Sequence, residues 1–222
     1  MTYFKIEPMT PSSNNATRSI LSVSNLIFAT PERKLFSNLT FQLLRGVSLV
    51  CGGEDRGKTT LLRLLAGELI AQAGTLSING VSLKEQATAY KAQVFWVAPR
   101  SEAFDQLKVA DYFASVQHRY PRFDALLLTD LVDGLSLAEH LNKSLYMLSA
   151  GSKRKVWLAA AFASGAAVTL LDEPFAALDM ASIRFVTELL ADAAEHSGRV
   201  WVIADYTAPS GLSLAGMIDL GD

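Results

Sequence analysis

Cysteine is almost absent from this 222-residue chain, where Cys51 stands alone. A single cysteine excludes an internal disulfide, and without thiol or imidazole neighbours it excludes a zinc site. Cys51 reads as a small apolar residue that ends a buried strand. Histidine is nearly as scarce. His118, His140 and His196 lie far apart in helical or loop stretches, and none has metal-ligand spacing. Charge of one sign is also lacking: 20 basic residues against 22 acidic ones leave a net charge of -2. No basic stripe follows from that balance, so nucleic acid is not an expected partner. A phosphate ligand gripped by backbone N–H groups needs no net positive charge, so nucleotides stay compatible. No apolar run is long enough for a membrane helix. The most apolar stretch, Val156 to Leu171, is broken by Ser164, Gly165 and Thr169 and falls short of the roughly 20 residues that a span requires. It reads as a helix end, a turn at Gly165, and a buried strand. No secretory signal, repeat or low-complexity block is visible.

What is present is core material. Half of the residues are hydrophobic, enough for one domain of ordinary size. Residues 1–19, with Pro8, Pro11 and the run Ser12-Ser13-Asn14-Asn15, read as a flexible tail, and 20–222 as a single domain. Ile20 to Phe28 and Leu39 to Leu44 carry strand patterns, with turns expected at Asn38 and at Arg45-Gly46. Farther on, short apolar runs at Val47–Cys51, Val94–Val97, Val168–Leu171 and Val200–Ala204 alternate with helical patterns. Alternation of that kind predicts an α/β fold with a mainly parallel core sheet. The strands before residue 45 read as an antiparallel β subdomain. The stretch of about 101–150, punctuated by Pro121 and Gly134, reads as an inserted helical subdomain.

Two segments carry chemistry. Gly52-Gly53-Glu54-Asp55-Arg56-Gly57-Lys58-Thr59 matches G-x-x-x-x-G-K-[ST] between a predicted strand and a predicted helix. The glycines let successive N–H groups turn inward around phosphates. Lys58 places a positive charge near the β- and γ-phosphates, and the Thr59 hydroxyl is a ligand for Mg²⁺. The helix that starts here points its positive end at the anion, so Thr60 joins the nucleotide-binding set. The second segment is Val168-Thr169-Leu170-Leu171-Asp172-Glu173-Pro174, an apolar strand that ends in two acids. Asp172 is the candidate second ligand for Mg²⁺. Glu173 is the candidate catalytic residue, within reach of an attacking water that it could orient or deprotonate.

Together with Leu148-Ser149-Ala150-Gly151-Ser152, these segments resemble the nucleotide-binding domain of ATP-binding cassette (ABC) proteins. That family has a signature, usually Leu-Ser-Gly-Gly-Gln, a short way before its acid pair. Ala177-Leu178-Asp179 resembles the loop that follows the second acid. The resemblance covers roughly residues 20 to 206 and implies a P-loop NTPase that uses ATP and Mg²⁺. Ser149 and Gly151 sit before a helix, where N–H groups and a hydroxyl form a second anion site. In the family that site meets the γ-phosphate held by another cassette, so the resemblance implies a homodimer or heterodimer of cassettes. It also implies a membrane-spanning transporter subunit as partner, with the chain peripheral on the cytoplasmic face of the membrane and Ser101-Glu102-Ala103-Phe104 as a docking surface.

Several positions depart from the family pattern. Asp55 replaces a usual glycine, with Glu54 beside it, and two acids near a polyphosphate weaken binding unless they point outward or Arg56 offsets them. Arg100 stands where a glutamine is usual, Ser152 replaces the last signature residue, and Asp205 takes the place of a histidine that contacts the γ-phosphate. The expectation is therefore ATP binding with hydrolysis that is slow or partner-dependent. The alternatives are a regulatory cassette that binds ATP without significant hydrolysis, and a soluble ABC ATPase outside transport. Phe28 and Phe36 are the aromatic candidates for adenine stacking.

Overall fold

The computed structural model describes residues 20–99, 101–196 and 198–221. The expectations placed on the 1–19 tail and on Arg100 lie outside the described residues. Two sheets organise the chain. The first is antiparallel, ordered β2-β1-β4-β5, and built from β1 (Leu21–Ala29), β2 (Lys34–Leu43), β4 (Ala73–Ile78) and β5 (Val81–Ser82). The second is parallel throughout, ordered β6-β7-β8-β3-β9. Its strands are β3 (Gly46–Cys51), β6 (Val94–Trp96), β7 (Val168–Asp172), β8 (Val200–Ala204) and β9 (Gly216–Asp219). Among the described residues there are six α-helices: α1 (Lys58–Leu65), α2 (Ala87–Lys91), α3 (Val109–Arg119), α4 (Ala125–Gly134), α5 (Ala150–Ala163) and α6 (Met180–His196).

The central strands are buried on both faces, which is why they read as unbroken apolar runs. Alternate residues go to opposite cores. Val200, Val202 and Ala204 of β8 join Val50, Leu61, Leu64 and the antiparallel sheet on one side. Trp201 and Ile203 join Val47, Leu49 and residues of α3, α5 and α6 on the other. The sheet is thus clasped between a β layer with α1 and a helical layer.

Two details differ from the sequence expectation. Asn38 does not end a strand. It sits inside β2 at φ 65°, where β1 and β2 shift register between the pairs Leu26↔Leu39 and Phe28↔Phe36. Between those pairs two residues of β2, Ser37 and Asn38, oppose one of β1, Ile27, which is a bulge, and Asn tolerates the left-handed conformation that the extra residue adopts. In addition, β4 and β5 join β1 and β2 in one sheet although helix α1 intervenes. That pairing is nonlocal and leaves no local signal.

The helical segment leaves the core and returns to the same point. Val109 N–H donates to Lys143 O and Leu145 N–H to Leu107 O. Tyr120 Oη donates to Val94 O at 2.6 Å, and Asp124 N–H to Ala163 O, which bind the segment to β6 and to the end of α5.

Arg199 closes the far end of α5. Its guanidinium donates to the carbonyls of Ala161, Phe162 and Ala166 and to the hydroxyls of Ser164 and Thr169, all within 3.1 Å. It also lies over the Trp201 ring at 4.4 Å. The Ala161 and Phe162 carbonyls belong to the last turn of α5, whose carbonyls lack intrahelical partners. Burial pushes the guanidinium down to about 10, and the cation persists at neutral pH. Arg199→Ala should therefore lower stability by about 3–5 kcal/mol, because it strands several buried acceptors at once. Urea unfolding at neutral pH reads this directly, and a loss within 1 kcal/mol would show that water replaces the clamp.

Candidate functional site

Strand register builds the site. Val50 of β3, Ala204 of β8 and Asp172 of β7 stand level with one another on adjoining strands. The three loops that leave these strands are stitched at that level: Glu173 N–H donates to Ala204 O at 2.8 Å, and Asp205 N–H to Val50 O at 3.1 Å. Gly52, Glu173 and Asp205 thus emerge side by side at the carboxyl edge of the sheet, the edge where open α/β sheets bind ligands.

The loop from Gly52 to Gly57 enters α1 through Gly57 at φ 95°, with no side chain capping the helix. The amino end of α1 is left open toward the cleft. Asp55 adopts φ 57°, a left-handed conformation that glycine takes freely and that Asp tolerates. Its backbone therefore follows the turn expected of a glycine. Glu54, Asp55 and Arg56 are exposed. Lys58 is buried, and its ammonium donates to Gly52 O at 2.7 Å and to Gly53 O at 2.8 Å. The Thr59 hydroxyl donates to Asp172 Oδ2 at 2.7 Å. Burial raises the Asp172 carboxyl above its ordinary range, the bond from Thr59 opposes that shift, and neighbouring Glu173 adds to it. Thr59 and Asp172 together present hard oxygen donors only, a set that fits Mg²⁺ and suits no softer metal.

A cleft of about 580 Å³ opens over this loop. Residues 54–60 form its floor, with Glu173 and Tyr206 on one side. The opposite wall comes from the β1–β2 turn: Thr30, Glu32, Arg33 and Leu35. Neither aromatic candidate for adenine reaches it. Phe36 is fully buried in the core, where its ring backs Gly57, and Phe28 packs on the same core. Bulge and burial decide the faces of these two residues, and Leu35 rather than Phe36 reaches the cleft.

Of the other sequence candidates, Asp172 and Asp205 lie at the sheet edge but do not line the cleft. Burial raises the Asp205 carboxyl, and its Oδ1 accepts the Tyr206 N–H at 2.7 Å, which opposes the rise. Ser149 and Gly151 lie outside the cleft, at the start of α5. Ser149 caps that helix, accepting from Ser152 N–H at 3.1 Å. Gly151 packs so tightly that a Cβ there would stand 2.4 Å from Ala177 O, so the signature segment and the loop after the acid pair touch backbone to side-chain position. Lys155 reinforces this contact by pairing with Asp179 at 2.7 Å, and with Ser182 it holds that carboxyl well below the ordinary range.

Two residues that the sequence did not single out occupy strategic places. Arg154, in α5, donates from Nη1 to Asp172 O at 2.9 Å and to Glu173 O at 2.6 Å. Burial lowers its pKa, and the two acids oppose that shift. It ties the signature helix to the backbone of the acid pair. Tyr206 places its ring centroid 4.1 Å from Lys58 Nζ. Neither residue stands in a recognisable motif, and only packing reveals them.

With this geometry established, comparison with known proteins is specific. The family model described as ABC transporter matches residues 36–176. A cytochrome c biogenesis ATP-binding export protein, CcmA, from Pseudomonas savastanoi pv. phaseolicola is 34% identical over 176 residues, 79% of this chain and 83% of that protein. The protein of the same name from Wolbachia pipientis wMel is 30% identical over 90% of this chain and 96% of its own length. Among solved structures, the ATP-binding subunit of an ABC transporter superposes with a TM-score of 0.76 at 22% identity, covering 84% of this chain and 79% of that one. The structural likeness speaks for the fold, and the sequence matches speak for kinship.

Proposed function

The chain belongs to the ABC transporter family, as an ATP-binding subunit and a P-loop ATP hydrolase, and from that premise we propose how its own residues carry the work. ATP enters the cleft with its phosphates on the Gly52–Thr60 loop. Lys58 turns from Gly52 O and Gly53 O toward the β- and γ-phosphates, and the open end of α1 faces the same charge. Thr59 and Asp172 would hold Mg²⁺, which would supply neutralisation of the phosphate charge. Glu173, exposed at the cleft wall, orients the water. A second cassette covers the cleft with its Ser149–Gly151 segment, and a membrane-spanning subunit docks on the helical side. The carrying observation is that Lys58, Thr59, Asp172 and Glu173 converge on one sheet edge beside a cleft of nucleotide size.

Among the described residues no helix is long and apolar enough to cross a membrane. Kinship with ATP-binding export proteins supports work at the cytoplasmic face of a membrane, through a membrane-spanning partner. The names of the relatives support export within cytochrome c biogenesis as the setting. Asp205 in place of a phosphate-contacting histidine supports slow turnover by the isolated chain, and on that observation a regulatory cassette is the second reading. Single-turnover hydrolysis, with and without the membrane chain that co-purifies, separates the two. We expect the membrane chain to accelerate hydrolysis at least about 10-fold, a lowering of the barrier by about 1.4 kcal/mol. Absence of hydrolysis in both arms would leave the regulatory reading. Brisk hydrolysis by the isolated chain, abolished by Asp205→Ala, would overturn the role given to Asp205.

A further inference from the structure

Tyr206 lies next to the strand-end acid Asp205, half exposed, at the wall of the nucleotide cleft. Its ring covers the Lys58 ammonium at 4.1 Å. A lysine ammonium has three donors. Two of them go to Gly52 O and Gly53 O, and the ring takes the remaining face. The ammonium is thereby fully engaged before any ligand arrives. A phosphate oxygen that approaches Lys58 competes with the two carbonyls and with this ring.

We propose that Tyr206 is the residue that distinguishes nucleoside triphosphate from diphosphate, covering Lys58 in the empty cleft and donating its hydroxyl to the γ-phosphate in the filled one. This rests on the reading of the cleft as the ATP site. The surroundings suit the role. Partial desolvation, followed by Glu54, Glu173, Asp205 and Asp55, raises the phenol above its ordinary range, so it stays a donor wherever ATP is fully ionised. Those four carboxylates would repel an unscreened γ-phosphate. A neutral donor among them supplies attraction where Asp205 has none to give. The exposed ring sits at the start of a loop outside the sheet, so it can move without disturbing the core.

Equilibrium binding of ADP and of an unhydrolysed ATP analogue with a β,γ-imido bridge, to the full chain and to Tyr206→Phe, tests this. The Phe variant keeps the ring and removes the hydroxyl. We expect its preference for triphosphate over diphosphate to fall about 10-fold, the usual weight of one hydrogen bond to a charged group, while ADP affinity stays within about 2-fold. An unchanged ratio overturns the proposal. So does an equal loss for both nucleotides, which would mark a merely structural role. Lys58→Ala is run in parallel. If that variant binds nucleotide normally, the cleft reading itself fails. If it loses binding while Tyr206→Phe keeps the wild-type ratio, only the role of Tyr206 fails.

Discussion

Lys58→Ala is expected to weaken ATP binding by roughly 10²–10³-fold, about 3–4 kcal/mol, with the fold intact. The buried ammonium is a side-chain cation that the loop holds at the floor of the cleft. In the empty cleft it is stabilised by two carbonyls and an aromatic face, so part of its attraction to phosphate is offset by the bonds it gives up. The net loss on truncation is for that reason smaller than a gross ion-pair energy suggests. Stability should change by only about 1–2 kcal/mol. The Gly52 and Gly53 carbonyls border an open cleft, where water can replace the ammonium. Calorimetric titration with ATP, alongside urea unfolding, separates the two quantities. Undiminished affinity would overturn the assignment of this loop as the phosphate grip.

Glu173→Gln should leave ATP affinity within about 3-fold and slow hydrolysis by about 10²–10⁴-fold, the usual contribution of a positioned general base. The substitution preserves shape, and the backbone that aims the side chain is fixed independently. Its N–H is bonded to Ala204 O, its carbonyl is held by Arg154, and φ stands at 45°. The neutral amide also lowers the negative charge around Asp172, Asp205 and Tyr206, to each of which Glu173 contributes repulsion. Nucleotide binding should therefore not suffer. Single-turnover rates in the partner-stimulated assembly give the clearest reading. A rate that survives the substitution would mean that another group handles the water, and Glu173 would lose its proposed role.

The sequence was legible where chemistry is local. The glycine loop sits between a strand and a helix, and the acid pair ends an apolar strand. Each is a contiguous segment whose residue types answer to one physical demand. The parallel order of the core follows from alternation, and the inserted helices from their own periodicity. What was not legible depends on register and packing. The bulge at Asn38 looked like a turn because Asn favours the same left-handed backbone in both. Phe36 looked available to a base because its burial is set by partners on α1 and β1. Arg154 is one of three basic residues in a row, and nothing in Lys153-Arg154-Lys155 says which of them turns inward. The structure sends Lys153 to Asp105, Lys155 to Asp179 and Arg154 to the acid-pair backbone. Tyr206 follows Asp205 by one residue, and its place over Lys58 exists only because β8 lies beside β3.

The bonds from Arg154 have a thermodynamic consequence. A guanidinium shared between the first turns of α5 and the Asp172–Glu173 carbonyls makes the two ends of that link conditional on each other. If a ligand at the start of α5 shifts the helix by enough to favour or disfavour those bonds, it changes the affinity of the acid-pair edge by some factor. By reciprocity, a ligand at the acid-pair edge changes affinity at the start of α5 by the same factor. A coupling of 1–3 kcal/mol, roughly 5–150-fold, is the ordinary range for such linkage. Arg154 is thus one side chain by which ligands at the outer face of the signature helix and in the cleft would be linked within one chain.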